Sequence, residues 1–375
     1  MHNIKRDLSN LLGWRTNKKI VVIESDDWGS IRMPSISSFE KLKDKGLDLI
    51  SLDAGRYNQN DTLASKNDLE GLFDILSSIK DRNGNNCVFT AVSVVANPDF
   101  ERIKNSDFQK YFYEPFTETL KKYEGREGSF ELWKEGIERR IFVPQMHGRE
   151  HLNVIAWMRA LQNGDRQTRL AFNEGVWGFV SDKNTLPNTD FQAAFLFSEP
   201  WELGYHESVI NEGLDLFEKL FGYRAEYFVP PNGAFNNHLN HILRKNGIKF
   251  RSASKIQFEP FSNGKTKKVF HWLGQKEENG IRYITRNCFF EPSQLGKEWV
   301  DSCLNDIAIA FRWHKPAIVS SHRVNYIGGL NMKNRNNGLT QLKRLLQTIQ
   351  ENWPDVLFLT TPELGKLIQP NFHER

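Results

Sequence analysis

Two clusters of side chains in this sequence have the types and spacing to do chemistry, and a third residue joins them near the C-terminal end. Asp26 and Asp27 stand side by side in KIVVIESDDWGS, and His147 and His151 stand four apart in HGREH. Two imidazoles and one carboxylate, with positions left for water, make an open metal site of the catalytic kind. The second carboxylate can then take a proton from the water that the ion acidifies. Alternation along a strand turns neighbouring side chains in different directions, which suits such a division of labour. His322, in SSH, is placed to protonate a leaving group. Each feature also has a plainer reading: an acidic turn, a chance histidine spacing, a hydrogen-bonded structural histidine. HGREH further fits the H-x-x-E-H pattern of zinc proteases, with Glu150 as general base. That pattern needs one helix through both histidines, and Pro144 and Gly148 argue against it. His238 and His241 share a helix face without a third ligand near them in sequence. His206, His271 and His314 stand alone.

Such groups need rigid elements to hold them. Ile20 to Ile23 is a β-branched run suited to a strand buried on both faces, and it delivers the aspartates at its C-terminal end. Parallel α/β folds place chemistry in this way. Three later apolar runs end alike on polar clusters: 141–143 on Pro144 to His147, 227–229 on Pro230-Pro231-Asn232-Gly233, and 317–319 on Ser320 to His322. Helices are expected over 35–45, 65–80, 150–161, 202–221, 237–245, 299–312 and 339–350, with a short one from Pro362. Further strands are expected at 87–95, 248–252 and 356–360, and a pair at 269–272 and 281–290. The polar stretch 108–140 reads as a solvated helical insertion. Residues 165–200 form another insertion, with a loop at 184–190. This alternation predicts one barrel-like α/β domain over 19–368, with insertions near 100–140 and 165–200, a helical extension at 1–18 and a tail at 369–375.

Composition narrows the class. The chain has 375 residues, 26% charged and 39% hydrophobic, with a formal net charge of +4, which is ordinary for a globular protein with a sizeable core. The charge is small for this length and forms no basic stripe interleaved with aromatics, so nucleic acid is not an expected partner. Cys87, Cys288 and Cys303 form no disulfide or metal framework and fit a reducing compartment. No apolar run approaches a membrane span, and the N-terminal residues lack a secretory core, so a cytoplasmic location is expected. Ile4, Leu8, Leu11 and Leu12 fall on one helical face, ringed by Lys5, Arg6, Arg15, Lys18 and Lys19. That helix is expected to cap a barrel end; contact with a membrane surface is the other reading.

Taken in order, strand-Asp26-Asp27, His147-x-x-x-His151, Pro230-Pro231-Asn232-Gly233 and Ser321-His322 resemble the motifs of the polysaccharide deacetylase (NodB-homology, carbohydrate esterase) superfamily. The closing stretch NNGLTQLKRLLQTIQENWPDVLFLTTPEL is similar to that family's last helix, strand and TxxEL end. The resemblance covers roughly residues 19–368. It implies a distorted (β/α) barrel and metal-assisted hydrolysis of an N-acetyl group on a sugar. It also implies Asp26 as general base, Asp27, His147 and His151 as metal ligands, and His322 as general acid. Zinc is the expected ion, with cobalt, nickel or manganese able to take its place.

The chain departs from the pattern in three ways. Val229 stands where the family has an arginine that orients the base, and Arg323 stands where it has an aspartate. No match for the aspartate that supports the catalytic histidine appears in RSASKIQF. Arg149, Arg251 or Arg323 could hold the base instead. Substrate contacts are expected at Trp28, which either stacks on a sugar or packs in the core, at Asn232, and at Arg323, which would favour an anionic sugar. A nucleotide- or lipid-linked acetylated precursor is the expected partner. The alternatives are a hydrolase of O-acetyl or glycosidic bonds, and a carbohydrate-binding relative without turnover.

Overall fold

A computed structural model describes residues 4–51, 54–179 and 191–369 of the chain. Its centre is β1 (Ile20–Trp28), whose first four residues are at most 2% exposed. Each such fully buried Ile or Val contributes about 1.5–3 kcal/mol. Around it lie β2 (Phe89–Ser93), β3 (Phe142–Met146), β4 (Tyr227–Phe228), β5 (Phe250–Ser252), β6 (Arg282–Ile284), β7 (Cys288–Phe289) and β8 (Ala317–His322). Their spatial order is β6-β5-β4-β3-β2-β1-β8-β7, and every pairing is parallel. Sequence order therefore runs around the ring as in a (β/α) barrel, and the ring stays open between β6 and β7. A ninth strand, β9 (Leu357–Phe358), pairs with the start of β1. The expected barrel is met as an α/β fold with a curled, open parallel sheet.

Local sequence explains most helices. Residues Lys66–Ser78 begin at a capping box made by Ser65 and Asp68. The helix Glu202–Phe221 ends at Gly222, whose φ of 77° is the left-handed conformation that closes helices. Trp299–Arg312 packs on β7 and β8, and Met332–Asn352 packs on that helix and on Lys66–Ser78.

Several expectations are corrected. The stretch 108–140 is not solvated throughout: Phe116 and Trp133, on the helices Phe116–Lys122 and Ser129–Glu138, are buried in the core beside β1. Few aliphatics mark this stretch, but its aromatics do the packing. The helix expected at 150–161 begins only at Val154, capped by Asn153, so both HGREH histidines precede it. Within 165–200, a helix spans Arg166–Asn173, and the loop expected at 184–190 lies outside the described residues. Residues 269–272 pair not with 281–290 but within a hairpin, Ile256–Pro260 against Thr266–Phe270. The 281–290 run splits into β6 and β7 around Arg286. At the N-terminus the helix is short, Ile4–Leu8, and Leu8, Leu11 and Leu12 face outward. No helix among the described residues is long and apolar enough to cross a membrane.

Candidate metal centre

The C-terminal ends of β1, β3 and β8 meet at one rim. Asp27, the residue before the end of β1, has a φ of 73°, unusual for a residue other than glycine. That turn breaks the regular alternation, and the β1–β2 register shifts between Ser25 and Trp28. Gly29 follows because a Cβ there would lie 2.5 Å from the Val94 carbonyl oxygen. Both aspartates can therefore serve one site. Strain of this kind costs about 1–3 kcal/mol and gathers at functional positions.

Asp27 Oδ1 lies 3.3 Å from His147 Nε2 and 3.3 Å from His151 Nε2. His147 Nδ1 is 2.8 Å from the Val229 carbonyl oxygen, which only accepts, so in the neutral ring the proton sits on Nδ1. Its Nε2 lone pair then faces a carboxylate oxygen. Two acceptors at that distance attract only with a proton or a cation between them. The carbonyl partner on the far ring nitrogen is also what metal-bound histidines commonly show. His151 leaves its buried Nδ1 without a hydrogen-bond partner among the described residues, and its ring stacks on Trp177 at 6.1 Å between centroids. The three donors form a buried cluster that fits a divalent cation, and neutral imidazoles with one carboxylate are the donor set zinc takes. Burial pushes the Asp27 carboxyl up, but the two imidazoles that face its Oδ1 outweigh this and hold the group well below the ordinary range.

Asp26 is gripped by an arginine the sequence did not single out. Arg286 Nη1 and Nη2 donate to its two oxygens at 2.6 and 2.7 Å, and Nε donates to the fully buried Glu24 at 2.5 Å. Burial raises the Asp26 carboxyl, yet Arg286 brings it below its ordinary value. Glu24 also accepts from Tyr227 Oη and Thr361 Oγ1. None of the three arginines expected to hold Asp26 does so. Arg149 is bound to Glu150 and Glu212, Arg251 to Asn237 and Gln257, and Arg323 to Asp61. The interruption of an apolar run, YITRNCFF, was the signal that could have pointed to Arg286.

His322 stands next to Asp26 because β1 and β8 are paired with Asp26 opposite His322. Its Nε2 lies 3.9 Å from Asp26 Oδ2, and its Nδ1 is 2.5 Å from Glu291 Oε1. Burial lowers the imidazole, but Glu291 more than offsets this and lifts it to about 9. Glu291, just beyond β7, holds the His322 ring, and the sequence reading did not single it out. Arg56 and Asn325 fix its other oxygen at 2.7 and 2.9 Å.

The three expected substrate contacts fare differently. Trp28 is 1% exposed, packs edge-on against Phe142 at 4.7 Å between centroids, and donates to Ser25 Oγ. It is a core residue, and the stacking reading is withdrawn. Arg323 is fully buried, with its guanidinium forked onto Asp61 at 3.0 and 2.8 Å, and cannot meet a substrate anion. Asn232 is exposed in the turn after β4, in a left-handed conformation. The protease reading also falls: no helix runs through His147 and His151, and Arg149 occupies the Glu150 carboxylate. His238 and His241 meet a third possible ligand that is distant in sequence, Glu207, from the helix Glu202–Phe221, but both histidines are exposed.

No protein-family model matches this chain, and no curated protein matches it. Among solved structures, it is similar to a protein from Mycobacterium smegmatis described as a polysaccharide deacetylase, at 10% identity over 95% of this chain and 92% of that one, with a TM-score of 0.43. It is likewise similar to the α-amylase AmyC from Thermotoga maritima, at 11% identity over 95% and 75% of the two chains, with a TM-score of 0.47. An allantoinase aligns at 9% identity over 94% and 91%, with a TM-score of 0.42.

Proposed function

We propose that the chain is a metal-dependent hydrolase that removes an N-acetyl group from a sugar or sugar precursor. The observation that carries this reading is the buried facing of Asp27 Oδ1 with His147 Nε2 and His151 Nε2, beside an aspartate and a histidine 3.9 Å apart. Asp27, His147 and His151 would hold the divalent cation, zinc being the ion expected for that donor set. Bound there, the cation supplies Lewis acidity toward an acyl oxygen and lowers the pKa of water. Asp26, kept ionised by Arg286, accepts the proton that the attacking water loses. His322 carries a proton on Nε2 while its Nδ1–H is held by Glu291, and gives it to the departing amine nitrogen. The C–N bond breaks, leaving acetate and an amine. With Arg323 committed to Asp61, no charged group argues for an anionic sugar, and the acetylated sugar is the substrate class proposed.

The test is acetate release across a panel of N-acetylated sugars, nucleotide sugars and lipid-linked sugars, with and without chelator. Release that stops on chelation and returns with zinc is expected. Asp27→Ala should lose bound metal by elemental analysis, whereas Asp26→Asn should keep the metal and lose turnover. Silence on every substrate, stoichiometric metal in Asp27→Ala, or full activity in Asp26→Asn would overturn the reading.

A further inference from the structure

The hairpin between β5 and β6 is inside out. Along Ile256–Pro260 the polar side chains point inward: Gln257 is 3% and Glu259 7% exposed. Gln257 donates to the Phe235 carbonyl and accepts from Arg251, while Glu259 accepts from the Asn237 amide. Alternation then turns the apolar set to the outside. Ile256 is 47%, Phe258 62% and Phe270 57% exposed. Ile256 and Phe270 are direct cross-strand partners, and Lys268 sits opposite Phe258 on the same face. Phe261 at the turn and Trp272 just beyond the hairpin are exposed as well.

A soluble protein gains nothing from an outward patch of this kind, so its composition indicates what covers it. Lys255, Lys265, Lys267 and Lys268 flank the aromatics, and the one acidic residue between 255 and 270, Glu259, is turned inward and bonded. Lys255 Nζ donates to the Ser9 carbonyl at 2.7 Å, bringing the exposed Leu8, Leu11 and Leu12 to the foot of the hairpin. Aromatic and aliphatic side chains set among lysines match the headgroup layer of an anionic bilayer: apolar groups enter the acyl boundary, and ammonium groups meet lipid phosphates.

We infer that the 256–270 hairpin, with residues 8–12, docks this protein on an anionic membrane surface. The hairpin leaves the C-terminal end of β5, and residues 8–12 sit beside the segments that lead into β7 and β8, Asn10 against Asn287 and the Leu12 carbonyl on Lys315. The inference stands independently of the reaction proposed above.

Co-sedimentation with vesicles tests it, using the full chain. Vesicles of phosphatidylcholine with about one quarter phosphatidylglycerol should pellet the protein at low salt, neutral vesicles should pellet much less, and salt should weaken binding. Replacing Lys265, Lys267 and Lys268 by Gln should weaken binding on the order of a hundredfold, at about fivefold per lysine. Phe258→Glu with Phe270→Glu should abolish pelleting while circular dichroism stays unchanged, since both sites are exposed. Equal pelleting of wild type and the double variant, or no pelleting on anionic vesicles, would overturn the inference. So would a dimer, seen by sedimentation velocity, that the same double variant dissolves, because the face would then belong to a second copy.

Discussion

Removing the cation from the Asp26–Arg286–Glu24 cluster should be costly, and the structure says where the cost falls. Arg286 bridges two carboxylates that are almost wholly buried. In Arg286→Met, Glu24 keeps hydroxyl donors from Tyr227 at 2.9 Å and Thr361 at 2.7 Å. Among the described residues Asp26 has no other hydrogen-bond donor closer than His322, whose Nε2 is 3.9 Å away. A buried charge stripped of its partner costs about 3–5 kcal/mol, a large share of the roughly 5–15 kcal/mol that holds most proteins folded. Arg286→Lys keeps the charge but loses the fork, and about 1–2 kcal/mol is expected. Adding Asp26→Asn to Arg286→Met removes the stranded charge and should recover about half of the loss. Urea unfolding at neutral pH, followed by tryptophan fluorescence, measures all three. A loss under about 0.5 kcal/mol in Arg286→Met, or an Asp26→Asn cost that simply adds to it, would refute the account of a counter-ion buried for Asp26.

Two further outcomes follow from buried rings. Burial holds His206 down to about 4, from 6.5, so the folded state binds fewer protons than the unfolded chain. Its contribution is complete above about 6.5 and is lost as pH falls toward 4, worth about 3 kcal/mol. His271 shifts in the same direction, so His206→Leu should remove about half of the histidine-linked fall in stability between about pH 6.5 and 4, above the range where carboxylates dominate; an unchanged slope there in pH-dependent unfolding would count against it. Trp28→Ala should cost about 3–5 kcal/mol of stability through the cavity it leaves, with KM unchanged in the soluble protein that remains. A raised KM with unaltered stability would return Trp28 to the substrate.

Much of the candidate site was legible in the chain because its signals are local. The β-branched run into Asp26-Asp27, the HGREH spacing and the SSH strand end each sit within one element, and the helices 202–221 and 299–312 match their expected bounds. What stayed hidden is set by packing between distant segments. Arg286 reaches Asp26 from the connection between β6 and β7, Glu291 reaches His322 because β7 pairs with β8, and no spacing rule links positions 26 and 286. The strand Ile256–Pro260 was not anticipated, and the direction of its alternation is equally invisible: the bonds that Gln257 and Glu259 find inside turn Ile256 and Phe258 outward. Trp28 and Arg323 misled for a related reason, since nearness in sequence to a reactive residue does not decide which way a side chain faces.

The pairing of Asp26 with His322 across two adjacent strands has a consequence for how this scaffold could diversify. Backbone hydrogen bonding keeps neighbouring strands about 4.8 Å apart, whatever the surface segments above them do. The two groups proposed to exchange protons are therefore anchored in the wall itself. A segment such as the turn at 231–233 could be swapped or lengthened to admit a different acylated molecule, leaving the wall-borne pair in place. Selectivity and reactivity would thus be inherited separately.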